Sequence, residues 1–208
     1  MMTPETAGGS FNGEVELSRV SQADGKVNLN KPRPYPLKFD TIESTNYYAA
    51  LAMLESVDVT WWHVASGPSI LGLKWQFIGN SLRQAGAGHS MALAAGIGGN
   101  SHEVEASPKV EFDVSVTDFA LLHGYWLTPE WQIFDSIGLT RFSAEGRISG
   151  PGRGRFEDEG SLLMLAIGTA YRVGPVRLKV EYAHTRADWS GSKVKTNGSF
   201  GFGLGFIF

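Results

Sequence analysis

Cysteine is absent from the 208 residues, which excludes disulfides, thiolate metal sites and a cysteine nucleophile. Charge is sparse, at 19% Asp, Glu, Lys and Arg with a formal net charge of -3. No basic stripe supplies the phosphate-neutralising charge that a nucleic-acid partner needs. No run approaches the roughly 18 consecutive apolar residues of a membrane-spanning helix, so a helical membrane protein is not expected. The opening Met1-Met2-Thr3-Pro4-Glu5 lacks the basic flank and apolar core of a secretory signal peptide. That leaves a cytoplasmic protein, or a mature exported form made with an added initiator methionine. No phosphate loop, dinucleotide fingerprint or metal motif is present, so neither cofactor nor metal is expected.

Glycine and phenylalanine are plentiful instead, with 26 and 12 copies. The C-terminal segment concentrates both. Phe200, Phe202, Leu204, Phe206 and Phe208 occupy even positions, while Gly201, Gly203 and Gly205 fill the odd ones between them. Side chains alternate sides along a strand, so one face is greasy and the other nearly bare. Alternation ending on Phe resembles the terminal strand of small, single-chain bacterial outer-membrane β-barrels, and the resemblance extends over almost the whole chain.

Upstream segments repeat the pattern. Val176, Leu178, Val180 and Tyr182 alternate with Arg177, Lys179, Glu181 and Ala183, and Gly174-Pro175 turns the chain back to 162–171. Strands are read at 131–140, 110–125, 90–98, 70–78, 57–65, 46–54 and within 11–20. Asp135 breaks the apolar row of 131–140, and 110–125 changes parity near Asp118, which suggests a bulge or a rise above the membrane. The sum is an all-β, closed antiparallel transmembrane barrel of ten strands, with eight as the alternative, forming one domain over residues 1–208. Residues 21–45 and 143–159 are expected to be long extracellular loops, the first containing the stiff Pro32, Pro34 and Pro36.

Alternation also fits a soluble calyx. The membrane reading is preferred because the large residues share one face, while the other combines charge with Gly and Ala. A soluble barrel would need the large residues inside and would then show a sparse solvent face. Trp and Tyr fall mostly near proposed strand ends, where amphipathic rings anchor at the two interfaces.

The expected lumen carries Glu14, Glu16, Asp58, Lys74, Glu111, Asp113, Arg172, Arg177, Lys179 and Glu181. Charges beside low-dielectric material must pair or reach water. Barrel closure sets the last strand between the ninth and the first, so Arg177 or Lys179 can reach Glu14 or Glu16 across glycines. A charge-paired, largely filled barrel with a structural or surface-recognition role is one reading; a narrow passive channel for ions or small polar solutes is another. An envelope lipid hydrolase or protease is a third, since His184 has Ser190 and Asp188 nearby and His123 has Asp118. No Ser-His-acid signature accompanies them, so no catalytic residue is assigned. The resemblance implies the bacterial outer membrane as location. The implied partners are membrane lipid, lipopolysaccharide, the barrel-assembly machinery during biogenesis and an extracellular ligand.

Overall fold

The computed structural model describes residues 2–8, 12–21, 25–29, 35–39, 44–64, 67–82, 87–104, 109–149, 154–189 and 195–208. Ten strands close an antiparallel barrel: β1 (Gly13–Ser21), β4 (Ser44–Leu54), β5 (Val57–Val64), β6 (Ser69–Ile78), β7 (Gly88–Val104), β8 (Lys109–Trp126), β9 (Trp131–Ser149), β10 (Gly154–Val173), β11 (Val176–Trp189) and β12 (Lys195–Ile207). Each pairs with its sequence neighbour, and β1 completes the cylinder between β12 and β4. The remaining strands, β2 (Gly25–Leu29) and β3 (Tyr35–Phe39), form a separate two-stranded sheet.

Short turns gather at the end where the chain terminates. Glu55-Ser56 joins β4 to β5, Thr128 and its neighbours join β8 to β9, and Gly174-Pro175 joins β10 to β11. Gly174 has φ of +59°, a left-handed conformation that costs glycine nothing and other residues energy. A longer connection, 79–87, joins β6 to β7 at the same end, and the opposite rim carries the 22–43 connection that holds β2 and β3.

The outward rows are apolar around the circumference. Leu17, Leu51, Leu73, Leu93, Phe119, Ile137, Leu165, Val180 and Leu204 are all exposed on the outer wall, as are Phe200, Phe202, Phe206 and Phe208. The inward rows hold the buried charges together with Ala50, Ala92, Ala166 and Ala183. In water such a surface would be untenable; in hydrocarbon it is the favourable one, with every strand hydrogen-bonded on both edges.

Strand length varies around the barrel. β4, β5 and β6 have 11, 8 and 10 residues, close to the roughly 9–11 needed to cross a bilayer. β7, β8, β9 and β10 have 17, 18, 19 and 20 and overshoot it. The overshoot corrects three sequence expectations. Residues 143–159 are for most of their length paired strand rather than loop, because β9 runs to Ser149 and β10 begins at Gly154. The 21–45 segment likewise contains the β2–β3 hairpin, while its residues 30–34 lie outside the described ones. Finally, of the two expectations for 110–125, β8 has no bulge, since its register with β7 and β9 is continuous from Val110 to Trp126, and its 18 residues fit the other, a rise above the membrane.

Unbroken parity turns Glu111 and Asp113 outward and Phe112, Val114 and Val116 inward, the reverse of the expected placement. The reason is the medium. Above the lipid the outer wall meets water, so charge faces out and apolar side chains face in. Outward Arg141, Glu145 and Arg147 opposite inward Phe142, Ala144 and Ile148 repeat the inversion on β9.

Leu204, outward within the belt, provides a test of that medium. Leu204→Arg should destabilise the barrel in lipid vesicles by about 2–4 kcal/mol in a urea titration, the cost of a cation near the bilayer middle. A loss under about 1 kcal/mol would place Leu204 outside the hydrocarbon.

Candidate functional site

The barrel's closing seam brings four charges together across an almost bare strand. In register, Lys179 of β11 faces Gly203 and Arg177 faces Gly205, while Gly205 in turn faces Glu16 of β1. A Cβ at Gly203 would stand 2.8 Å from Glu16 Oε1, and one at Gly205 3.4 Å from Glu14 Oε1. The glycines therefore supply the space through which β11 cations meet β1 carboxylates. Lys179 Nζ lies 3.0 Å from Glu14 and 2.5 Å from Glu16, and Arg177 lies 3.5 Å from Glu14. All four side chains are buried.

Residues 2–8 continue the network. They enter the barrel at the turn-bearing end, and Thr3, Glu5, Thr6 and Ala7 are buried there. Glu5 is the focus. Its Oε1 accepts hydrogen bonds from Ser90, from Gln132 and from Trp126 Nε1 at 3.1 Å, and its Oε2 lies 3.5 Å from Arg177. Arg177 also donates to Thr3 Oγ1 at 2.9 Å and to Gln132 Oε1, and its guanidinium sits 5.8 Å from the Trp126 ring centroid, a cation–π distance.

Backbone groups of the same segment are held as well. Thr6 N donates to Gln76 Oε1 at 2.8 Å, and Ala7 N reaches both Asp58 oxygens at 3.2 Å. Lys74 donates to the Glu5 carbonyl at 2.5 Å and pairs with Asp58 at 3.1 Å. Gly124 makes room for the strap, because a Cβ there would stand 2.9 Å from Pro4 Cγ. Each ion is thus desolvated but paired, the condition under which buried charge is tolerated.

Six of the ten proposed lumen charges, Glu14, Glu16, Asp58, Lys74, Arg177 and Lys179, form this network. Arg172 stands at its rim, half-buried, and donates to the Leu82 carbonyl at 2.5 Å. Glu181 is half-buried above Lys179 and makes no ion pair among the described residues. Glu111 and Asp113 are not part of it. Asp113 instead accepts from Ser101 Oγ at 2.6 Å on the outer wall.

Sequence reading missed Thr3, Glu5, Thr6, Gln76, Ser90, Trp126 and Gln132. The strands carried part of the signal, since inward Gln76, Ser90 and Gln132 near the short turns need polar partners, but nothing in residues 3–6 marks them as those partners. Trp126, read as an interfacial ring, faces the lumen.

The histidine pairings also change. Asp118 points inward and accepts from Thr140 Oγ1 at 2.6 Å, while His123 points outward and donates to Asp135 at 2.8 Å. Continuous strand parity puts the two on opposite faces. His184 and Asp188 lie on the outer face, and Ser190 is outside the described residues. No group of three metal-ligating side chains occurs among the described residues.

An apolar belt around a closed sheet whose lumen holds paired ions defines a small, single-chain bacterial outer-membrane β-barrel crossing the membrane with its strands. No family model matches the sequence, and no curated protein matches it. Among solved structures, the chain is similar to the attachment invasion locus protein Ail of Yersinia pestis, in complex with the heparin analogue sucrose octasulfate. Identity is 9%, with 96% of this chain and all of that chain covered and a TM-score of 0.47. Others are the N-terminal β-barrel domain of Pseudomonas aeruginosa OprF (13% identity, 96% and 99% covered, TM-score 0.40) and Neisserial surface protein A (11%, 95% and 97%, TM-score 0.37).

The Asp58–Lys74 pair gives a test of the network. Asp58→Asn leaves Lys74 without its carboxylate and should cost about 3–5 kcal/mol of stability. Adding Lys74→Met should recover most of that loss. A double-mutant cycle with no coupling would show that the pair is not a unit.

Proposed function

We propose that this outer-membrane protein is a structural or surface-recognition barrel whose lumen is closed by its own N-terminal strap. The observation that carries the reading is Glu5, buried and bound at once by β7, β8, β9 and β11 side chains. A barrel of this size has a narrow bore even before a strap enters it. The long β7–β10 wall, with outward Glu111, Asp113, Glu145, Arg147, Arg155 and Glu157, is the part that would meet lipopolysaccharide or an extracellular ligand. The barrel-assembly machinery would insert the chain through its terminal strand.

A second reading, the narrow passive channel, has one observation in its favour: Asp118, Thr140 and Glu181 line the lumen above the strap only half-buried. Water reaching them would leave the strap as the sole barrier.

Planar bilayers separate the two. The full chain is expected to stay silent, and a folded variant lacking residues 2–8 to show stepwise conductance. Conductance by the full chain, with an ion preference altered by Lys179→Gln or Glu16→Gln, would make it a channel. For recognition, cells displaying the protein are compared with cells displaying a Glu111→Gln, Asp113→Gln, Glu145→Gln variant on immobilised polysaccharides and matrix proteins. Equal retention of both would count against the wall as the binding face.

A further inference from the structure

The outer wall of β7, β8 and β9 carries a polar cluster where the rest of the circumference is oily. His123 Nδ1 is 2.8 Å from Asp135 Oδ2, and His123 Nε2 is 3.0 Å from His89 Nδ1. His89 packs in turn on Tyr125, with ring centroids 4.7 Å apart. The side chains of His123 and Asp135 are 33% and 55% exposed.

Asp135 lies four residues along β9 from Trp131, the interfacial ring at the turn-bearing rim. At about 3.3 Å per residue and roughly 45° of tilt, that is roughly 9 Å into the membrane. Its neighbours across the register are His123 and Ile167, and its neighbours along the strand are Ile133 and Ile137. An exposed carboxylate at this depth is costly unless something polar covers it.

Hydrogen-bond chemistry states what that cover must be. A carboxylate only accepts, so His123 Nδ1 carries the proton. The 3.0 Å contact between His123 Nε2 and His89 Nδ1 holds one further proton, on one ring or the other. In either arrangement the exposed carboxylate keeps one acceptor that no described residue fills, Asp135 Oδ1. It therefore calls for a cationic donor. A second copy of the chain across a two-fold axis would bring carboxylate against carboxylate, which is repulsive.

Directly above the cluster, farther from the turns, the wall forms an apolar groove of about 670 Å³ lined by Trp75, Leu93, Phe119, Leu121, Ile137 and Leu163. Leu121 and Ile137 stand two residues beyond His123 and Asp135. Polar end toward the rim and apolar end toward the membrane middle is the polarity of one phospholipid in the periplasmic leaflet.

We propose that His89, His123 and Asp135 with this groove form a binding site for a single phospholipid bearing a primary-amine headgroup, its ammonium on the Asp135 carboxylate and an acyl chain along Leu121 and Ile137.

Native mass spectrometry of the full chain, released from micelles holding equal phosphatidylethanolamine, phosphatidylcholine and phosphatidylglycerol of identical chains, tests the site. One phosphatidylethanolamine should remain per barrel, in preference to phosphatidylcholine, whose ammonium has no N–H. Asp135→Asn should weaken retention about tenfold, as expected for loss of a charge-assisted hydrogen bond. Asp188→Asn, far along the outer face, should leave it unchanged. Equal retention of the three lipids by the unaltered chain would overturn the site, a result that does not depend on how any variant folds. So would Asp135→Asn binding as the unaltered chain does, or a two-barrel species that Asp135→Asn dissolves, which would give the patch to a second copy.

Discussion

Hydrocarbon offers no water to a stranded amide or carbonyl, so a sheet can enter it only by closing on itself. In this chain closure depends on β1, the strand that faces both β12 and β4. The same strand brings Glu14 and Glu16 inside, where they require cations, and β12 leaves Gly203 and Gly205 bare so that Lys179 and Arg177 can supply them. Backbone pairing and charge pairing are thus satisfied at one seam. Their joint demand explains why β12 sets Gly201, Gly203 and Gly205 between its outward Phe and Leu side chains.

The same accounting extends to the strap. Arg177 stands between Glu14 and Glu5 and touches Thr3, Gln132 and Trp126. It therefore links the seam to the N-terminal segment, and the buried ions form one assembly rather than scattered pairs. Polar contacts in a low-dielectric interior reinforce each other when complete and are costly when partial. A strap so engaged is part of the barrel's interior and not an appendage to it.

Much of this was legible from residues alone wherever lipid sets the rule. Phe200 to Phe208, Leu71 to Phe77 and Val176 to Tyr182 alternate cleanly because one face must be oily, and with the weaker segments between them they make up the ten strands of the barrel. The reading failed where lipid stops. Phe112, Val114 and Val116 look like a membrane row, yet they lie above the belt, where water outside reverses the preference. Hydropathy alternation reports parity but not the medium that each face meets. The strap was illegible for another reason: Thr3-Pro4-Glu5-Thr6 has no periodicity, and the partners of the strap come from six strands distant in sequence. Asp135 was visible as a flaw in its row. Its partner His123 needed the register of two strands to be known.

The unequal strands have a geometric outcome. On the side of β4, β5 and β6 the sheet ends close to the level of the bilayer surface, whereas β7 to β10 rise well past it. The rim is cut obliquely, like a quill. Seen by a molecule drifting within the outer leaflet, the protein has a low sill on one bearing and a tall parapet on the other, so an encounter differs with the compass direction of approach.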